Sequence, residues 1–279
     1  MNGVRFNVVN VLGMKGEDVA LSLCVLASGS AGNCIYVSSD STAILIDAGL
    51  SMKETVRRLA EAGKDLSLVK AVCVTHEHGD HRASLGVLQR RAGLALYATG
   101  AAAEAYEQDP GQRNLEWTIF QTGSPFMIGD LKIDPFSVSH DSAEPVGFVI
   151  TSGPHRLGIV TDIGFVTELA KGCLRDCDVL VIESNHDETM VMASARPWKV
   201  KKRILGKQGH LSNAQAAELV RIIASPRLKS VLLAHLSAEC NRPEIAERCI
   251  RTVLDACGCV HTNLSVTYQD RISPVVYCG

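Results

Sequence analysis

Residues 75–81 read Thr-His-Glu-His-Gly-Asp-His, and they follow an apolar run, Ala-Val-Cys-Val, that has the character of a buried strand. If this segment were helical, His76 and His78 would lie about 200° apart around the axis and could not share one metal ion. We therefore expect a loop at a strand end, closed tightly at Gly79. In such a loop the two imidazoles face the same point.

The same loop carries two more groups of ligand type, Asp80 and His81, which can reach a second point nearby. This density of imidazole and carboxylate groups predicts metal binding, and the alternative is an ordinary polar loop. Three strand-like apolar runs elsewhere each end in one such residue, namely His140, Asp162 and His235. A single residue of this type usually caps a strand or lies at the surface. Functional groups of open α/β sheets, however, gather beyond the carboxyl ends of strands, so we predict that all three complete the site.

The chain has 279 residues, of which 46% are apolar, and this is enough for one large core. Strand-like and helical stretches alternate along the whole length, and no linker rich in Pro, Gly or Ser divides them. The pattern predicts a single layered α/β domain over residues 21–279, preceded by an N-terminal extension over residues 1–20.

Apolar runs predict strands at 21–27, 34–38, 43–47, 70–75, 95–98, 131–138, 146–151, 156–161, 178–183, 229–235 and 264–268. Amphipathic stretches predict helices at 51–62, 83–91, 164–171, 212–224 and 243–255. Capping residues support three of the helix starts, namely Ser51, Ser212 and Asn241.

Charge and cysteine usage narrow the class of protein. The formal net charge is −2, so the whole chain carries no charge that favours a particular partner. No apolar run reaches the roughly 18–20 residues that a membrane-spanning helix needs, and the N-terminal segment lacks a secretory leader pattern. None of the 10 cysteines forms a C-x-x-C pair. We therefore expect a reduced, cytoplasmic protein that does not bind membranes.

The motif H-x-H-x-D-H at 76–81, followed at long distance by His, Asp and His, resembles the metallo-β-lactamase superfamily over residues 21–275. The resemblance implies a four-layer αββα sandwich with two divalent ions at one edge of the sheets. It implies that one ion is held by His76, His78 and His140. The other ion would be held by Asp80, His81 and His235, with Asp162 as the bridge between the two.

Asp47, which ends the run Ala-Ile-Leu-Ile, matches the first motif of that superfamily. The resemblance implies that it orients a ligand histidine through the ring nitrogen that does not touch metal. The alternative is an aspartate that bonds its own turn. Members that hydrolyse antibiotics generally carry a cysteine where this chain has Asp162. The carboxylate at that position argues against β-lactam hydrolysis.

Further motifs resemble the YycJ/WalJ-type exonucleases. They are Ser-Gly-Ser-Ala-Gly-Asn at 28–33, Glu-Ser-Asn-His-Asp at 183–187, Gly-His-Leu-Ser-Asn at 209–213, and His-Leu-Ser at 235–237 followed by Asn241 and Pro243-Glu244. Cys240 departs from the pattern, which has a polar residue there. This resemblance implies a cytoplasmic bacterial phosphodiesterase that degrades duplex DNA from its 5′ end, in the 5′→3′ direction.

A two-metal site suits hydrolysis. Two ions about 3.5–4 Å apart lower the pKa of a bridging water toward neutrality, so the bridging hydroxide attacks and no nucleophilic Ser or Cys is needed. The ligand types suit zinc, manganese or iron, and their spacing does not choose among these metals. Asp80 is a predicted catalytic residue as well as a ligand. His210 is the candidate proton donor to the leaving oxygen and a phosphate contact, and the alternative is a histidine held in a loop.

The segment 196–207 is rich in Lys and Arg and contains no acid. It leads into His210 and the start of a predicted helix, where free N–H groups favour anions. Lys201, Lys202 and Arg203 are therefore predicted to contact the phosphates of DNA, and the alternative is an ordinary solvated face.

Four polar residues near these motifs are candidate substrate contacts that also have structural interpretations, namely Ser30, Asn33, His186 and Ser212. Ser30 and Asn33 could instead shape a tight turn. His186 could fix its own loop, and Ser212 could act only as a helix cap.

Two rival functions stay open from the sequence. One is a metal-dependent hydrolase of a small cyclic phosphodiester, thioester or lactone, and the lack of an appended substrate-binding region favours it. The other is a metal-stabilised nucleic-acid-binding module without hydrolytic activity.

Overall fold

Two seven-stranded β-sheets pack face to face in the computed structural model, which describes residues 21–108 and 114–278. The predicted N-terminal extension, residues 1–20, lies outside the described residues. The first sheet contains β1 (Ser22–Ala27), β2 (Cys34–Ser38), β3 (Ala43–Ile46), β4 (Val69–Cys73), β5 (Ala95–Ala98), β6 (Trp117–Ile119) and β14 (Val276–Tyr277). The second sheet contains β7 (Phe126–Ile128), β8 (Leu131–Ser137), β9 (Val146–Ser152), β10 (His155–Val160), β11 (Val179–Glu183), β12 (Ser230–Ala234) and β13 (Asn263–Val266).

The strand order places several carboxyl ends side by side. It is β14-β1-β2-β3-β4-β5-β6 in the first sheet and β13-β12-β11-β10-β9-β8-β7 in the second. Strands β3 to β6 run parallel, as do β10 to β13. Strand β8 runs in the same direction as β10, because both are antiparallel to β9. The loops that follow β3, β4, β8, β10, β11 and β12 therefore leave from the same edge of their sheets.

The helices of the described residues are α1 (Met52–Glu61), α2 (Gly79–Arg82), α3 (Leu85–Ala92), α4 (Gly100–Glu107), α5 (Glu168–Leu174), α6 (Glu188–Ala193), α7 (Trp198–Ile204), α8 (Asn213–Ile223) and α9 (Pro243–Ala256). The predicted cap Ser51 is confirmed at α1. The predicted cap Ser212 is confirmed at α8, where it forms a complete capping box with Gln215. Across the described ranges, no helix combines the length and apolar character needed to cross a membrane.

The two faces of each sheet are buried by alternating side chains. In β11, Val179 and Val181 pack between the sheets, whereas Leu180 and Ile182 pack against helices on the outer face. Helices α1, α3 and α4 cover the outer face of the first sheet. Helices α5, α8 and α9 cover that of the second sheet. The expected four-layer αββα sandwich is confirmed.

The structure corrects several predicted elements. The predicted helix at 164–171 begins only at Glu168, where the Thr167 hydroxyl accepts a hydrogen bond from the N–H of Ala170. Asn241 does not cap α9, because its amide instead bonds the Ser184 carbonyl. Helices α2, α4, α6 and α7 and the short strands β6, β7 and β14 were absent from the prediction. These elements are short, and their amphipathic pattern does not repeat often enough to be recognised.

Gly79 was expected to close a tight turn, and this expectation is wrong. Gly79 is the first residue of α2, and a Cβ added there would meet no atom within 4 Å. The close approach occurs at Gly49, in the loop after β3. A Cβ at Gly49 would lie 1.8 Å from the carbonyl oxygen of Asp80 and 2.5 Å from the nitrogen of Asn33. The glycine therefore lets three loops meet directly beneath Asp80.

We predict that Gly49→Ala lowers the free energy of unfolding by about 1–3 kcal/mol, because the new methyl group must push the Asp80 backbone away. Gly79→Ala is the matched control, since its added methyl group enters open space at the start of a helix. Urea unfolding of both variants measures the difference. Equal stability of the two variants would contradict this account of the loop packing.

Candidate metal centre

Three predicted ligand imidazoles converge at the carboxyl ends of β4 and β8. His76 Nε2 lies 3.1 Å from His78 Nδ1, and His140 Nε2 lies 3.3 Å from that same atom. The outer nitrogen of His140, Nδ1, donates to the Gly209 carbonyl at 3.0 Å. The outer nitrogen of His76 lies 2.9 Å from the Thr75 hydroxyl. The inward nitrogens are thus left to present lone pairs to one another, which is the arrangement that a transition-metal ion binds.

A second cluster contains Asp80, His81 and His235. Asp80 Oδ2 lies 3.4 Å from His81 Nε2 and 3.7 Å from His235 Nε2. Each imidazole is fixed from behind by a buried carboxylate. His81 Nδ1 donates to Asp47 Oδ2 at 2.7 Å, and His235 Nδ1 donates to Glu183 Oε1 at 2.9 Å. Both Nε2 atoms are thereby turned toward Asp80.

Asp162 lies between the two clusters. Its Oδ2 is 3.3 Å from His81 Nε2, and its Oδ1 is 3.8 Å from His140 Nε2. Asp162 Oδ2 and His235 Nε2 are buried, and neither has a hydrogen-bond partner among the described residues. Leaving such atoms unsatisfied costs free energy, which a bound cation would recover. The predicted ligands therefore fit divalent metal ions.

Three residues of the site have strained backbone conformations. Asp47, Asp162 and His235 have φ values of 62°, 53° and 55°. Such angles are uncommon outside glycine and cost on the order of 1–3 kcal/mol each. Each of these residues follows the end of a strand, β3, β10 or β12. The left-handed turn reverses the chain and brings the side chain back over the edge of the sheet.

Burial and neighbouring carboxylates act in opposite directions on the imidazoles. Burial holds the pKa of His76 well below its usual value. Burial also favours neutral His81, but the charges of Asp47 and Asp162 outweigh it and raise the pKa of His81 well above its usual value. Burial likewise favours neutral His235, but the neighbouring carboxylates, above all Asp162, outweigh it and raise the pKa of His235 to about 10. Without metal, His81 and His235 therefore carry protons at neutral pH, and a metal ion must displace them.

The structure places Asp47 where the orienting role requires it. Its carboxylate accepts the hydrogen bond from His81, and it also accepts from the backbone N–H of Thr75 at 2.8 Å and from the Thr75 hydroxyl. Asp47 thus bonds the neighbouring loop that carries the H-x-H-x-D-H motif. Its side chain couples the first sheet to the orientation of a predicted ligand.

Glu183, whose side chain is completely buried, was not among the predicted site residues. Its Oε1 accepts hydrogen bonds from His210 Nδ1 and His235 Nδ1, both at 2.9 Å. Its Oε2 accepts from the N–H groups of Ile163 and Leu211. Four donors fill the acceptor capacity of the carboxylate, so Glu183 orients two histidines and has no lone pair left for a metal. It ends an apolar strand, and that same signal identified His140, Asp162 and His235.

The charge of Glu183 is stabilised despite its burial. Burial alone would raise the pKa of its carboxyl group, but the His210 charge and the hydrogen bonds from His210 and His235 lower that pKa to about 2. A fixed negative charge therefore lies behind both rings. His210 itself is partly accessible, with its ring centroid 5.2 Å from that of His140 and 5.1 Å from that of His235. It borders the centre next to a ligand candidate of each cluster.

Two of the unpredicted helices also support the centre. In α4, the buried Tyr106 hydroxyl donates to the His76 carbonyl at 2.7 Å. In α7, Arg203 Nη2 donates to Asp141 Oδ1 at 2.8 Å, and Asp141 follows His140. These contacts come from segments whose helical pattern was too short to read in the sequence.

Asn33 and Ser30 lie on the loop after β1 but have different environments. Asn33 is buried, and its Nδ2 donates to Asp80 Oδ2 at 3.1 Å while its Oδ1 accepts from the Gly29 N–H. Asn33 therefore positions Asp80 and shapes the turn, in place of the substrate contact that the sequence suggested. Ser30 is exposed at the tip of the loop and is free to meet a substrate.

The structure corrects the substrate contacts suggested for His186 and Ser212. Both side chains are 1% exposed. The Ser212 hydroxyl is engaged in the capping box with Gln215. The backbone of His186 pairs with that of Ser212 and accepts from the N–H of Asn213. The Ser212 hydroxyl therefore caps α8, and the backbone of His186 holds the loop around Leu211, whereas Nδ1 of the buried His186 ring has no partner among the described residues.

The basic segment 196–207 forms α7 and the turn after it, and part of its charge is compensated. Arg203 pairs with Asp141, and Lys201 donates to the Met192 carbonyl at 2.7 Å. Lys199 and Lys202 are exposed, with no charged partner in the part of the chain that the structure describes. The cations that remain free therefore lie on the outer side of α7, whereas Arg203 lies next to the metal ligand candidates.

Comparisons with known proteins agree with this geometry. Residues 42–235 match the family model described as a β-lactamase superfamily domain. The chain is 37% identical over 241 residues to exodeoxyribonuclease YycJ of Bacillus anthracis, covering 86% of this chain and 91% of that protein. It is 35% identical over 237 residues to exodeoxyribonuclease WalJ of Streptococcus pneumoniae serotype 2, covering 82% and 87%. The solved structure of the metallo-β-lactamase fold protein YhfI from Bacillus subtilis is similar with a TM-score of 0.68, at 16% identity over 91% of this chain and 99% of that one.

We predict that Asp47→Asn weakens metal binding about 10–100-fold, because a neutral amide holds the His81 ring less well. Competition with a chelator measures the affinity. Asp178→Asn is the matched control, since Asp178 is equally buried but pairs with Arg227 at the opposite end of β11 from Glu183. An unchanged affinity in Asp47→Asn, or an equal loss in both variants, would argue against the orienting role.

We also predict that metal binding at pH 7 releases protons, about two per chain, because His81 and His235 are protonated before metal enters. Affinity should accordingly rise with pH from 6 to about 9, since their raised pKa values keep protons in competition with metal over that range. Calorimetry in buffers of different ionisation enthalpy counts the protons. Binding without proton release would refute the assigned charge states.

Proposed function

We propose that this chain, which belongs to the metallo-β-lactamase superfamily and is a metal-dependent hydrolase, is a nuclease that degrades duplex DNA from a 5′ end. The proposal depends on one observation, which is that the two ligand clusters meet at Asp162. The partly accessible His210 lies beside this point, and the cationic helix α7 borders it through the pair of Arg203 with Asp141. The two exodeoxyribonucleases to which the chain is similar support the choice of DNA.

We assign the predicted metal ligands to two sets, with Asp162 as the residue shared between them. His76, His78 and His140 form the first set, and Asp80, His81 and His235 form the second, with Asp162 between them. Two divalent ions held in this way would activate a water molecule and neutralise charge on the attacked phosphate. Zinc, manganese and iron all suit a set of imidazoles and carboxylates.

Hydrolysis of the phosphodiester adds the oxygen of water to phosphorus and breaks the P–O3′ bond, whose electron pair leaves on O3′. The leaving oxygen needs a proton, and His210 is placed to give it. Glu183 accepts the hydrogen bond from His210 Nδ1 and keeps a negative charge behind the ring, so Nδ1 is held by Glu183 and Nε2 is the nitrogen left for the leaving oxygen. The proton is then delivered from Nε2, and general acid catalysis of this kind contributes about 10²–10⁴-fold.

The surface beside the centre suits a polyanion. Lys199 and Lys202 extend from α7 into solvent, and Arg203 reaches the edge of the centre through its pair with Asp141. Trp198, at the start of the same helix, is 63% exposed, so it does not serve the core and is available to stack on a base. A small neutral thioester or lactone would make no use of these side chains.

The proposal is tested with manganese-loaded protein and duplex DNA labelled at either 5′ or 3′ ends. We expect wild type to release label from the 5′ end first. Asp80→Ala should reduce the rate of DNA hydrolysis by more than about 100-fold, which is the loss expected when a residue that only orients a metal ligand is removed. DNA binding should be retained. Undiminished hydrolysis in this variant would rule out the two-metal mechanism.

The same assay separates the rival functions. Wild-type protein that hydrolyses S-lactoylglutathione or a cyclic phosphodiester, but not DNA, would be a small-substrate hydrolase. A Lys199→Gln/Lys202→Gln double variant provides the control for substrate choice. It should hydrolyse bis(p-nitrophenyl) phosphate normally but bind DNA more weakly, with a shallower dependence on salt because fewer counterions are released.

A further inference from the structure

A recess of about 490 Å³ opens next to the second ligand cluster. Four segments form it: the loop 28–31, residues 236–238 after His235, residues 241–243 at the start of α9, and residues 266–270. We refer to it as the end recess. Its volume lies within the range of sites for small molecules, about 300–1,000 Å³, and is far too small for a duplex.

The end recess is directly connected to the metal centre. Ser28, in its wall, accepts a hydrogen bond from the His235 N–H at 2.7 Å through its hydroxyl. Leu236, also in its wall, is the residue after His235. The neighbouring Gly29 donates to Asn33, whose amide donates to Asp80. A group seated in the recess is therefore adjacent to the predicted ligands of the second ion.

The lining combines an aromatic ring, Tyr268, with a cation, Arg242, and Arg271 outside the lining packs on the Tyr268 ring. Tyr268 is half-buried in the wall, and the guanidinium carbon of Arg271 lies 3.5 Å from its ring centroid. Arg242 is exposed at the rim and donates one hydrogen bond to the Asn241 carbonyl, which leaves its other N–H groups without a partner among the described residues. Asp270 is the one acidic side chain of the described lining, and it disfavours a phosphate at its own end. A stacking surface and a free guanidinium are the features that recognise a nucleotide.

We propose that the end recess binds the 5′-terminal nucleotide of the strand being cut, with its base toward Tyr268 and its 5′-phosphate on Arg242. This inference rests on the proposed nuclease function. A strand end seated there places the first phosphodiester at the metal centre, and the rest of the DNA leaves across α7. The exposed Ser30 at the tip of the loop 28–31 lies in the same wall and is available to hydrogen-bond the nucleotide. Because the recess has room for one nucleotide and not for a duplex, cleavage is limited to strand ends, and a 5′-phosphorylated end yields a nucleoside 5′-monophosphate.

The binding test uses the manganese-loaded full chain and titrates deoxyadenosine 5′-monophosphate, deoxyadenosine and inorganic phosphate. We expect wild type to bind the monophosphate at least about ten-fold more tightly than either fragment, because it fills the recess and pairs with Arg242. Ala238→Trp places an indole into the recess from an exposed position and should abolish this preference without changing phosphate affinity. Ala256→Trp is the matched control, at an exposed position at the other end of α9. Arg242→Gln should lose only the preference for monophosphate over deoxyadenosine.

The catalytic test compares duplexes with 5′-phosphate and 5′-hydroxyl ends. Ala238→Trp should slow digestion from ends at least about ten-fold while bis(p-nitrophenyl) phosphate hydrolysis is unchanged. Two outcomes would overturn the role of the end recess and leave the nuclease function standing. One is digestion of labelled DNA by Ala238→Trp at the wild-type rate. The other is wild-type protein that binds the monophosphate no better than inorganic phosphate. Wild type that binds the monophosphate through the recess but digests no DNA would refute the nuclease function alone.

Discussion

The centre depends on holding inward-facing nitrogen and oxygen lone pairs together in a buried space. His76, His78 and His140 present nitrogens 3.1–3.3 Å apart, and Asp162 adds a carboxylate oxygen that no described residue satisfies. Nothing in this arrangement is stabilising by itself in the absence of a cation. It persists because the rings of His76, His81, His140 and His235 are each restrained from outside, by a hydroxyl, a carbonyl or a carboxylate.

The restraints come from different layers of the fold. Asp47 belongs to the first sheet and Glu183 to the second, and each holds a histidine that faces Asp80. Both carboxylates are buried, so their charges are poorly screened. They strongly favour protonated imidazole partners until a metal ion replaces the proton. The left-handed backbones of Asp47, Asp162 and His235 add strain to this region. Sheet packing between the two clusters of core residues must outweigh that strain.

The surroundings of the centre divide into an open side and a closed side. On the open side, α7 presents lysines and an exposed tryptophan next to the first ligand cluster. On the closed side, the end recess adjoins the second cluster at His235. His210, held by Glu183, lies next to both clusters, with its ring centroid 5.2 Å from that of His140 and 5.1 Å from that of His235. The proposed cleavage at an end is based on this asymmetry, since a recess of this size does not hold a duplex.

The sequence alone determined the layered α/β class, the long buried strands and the identity of the metal ligand candidates. It did so because alternating apolar residues and dense ligand motifs are local signals. The same strand-end rule would have identified Glu183, which begins the quoted motif at 183–187 but was given no role there, because its hydrogen-bond partners His210 and His235 lie far away in the chain. Only the tertiary structure decided which polar residues face the centre and which are buried supports. Asn33, His186 and Ser212 were candidate substrate contacts, and packing made them structural, because burial and hydrogen-bond partners depend on segments distant in the chain.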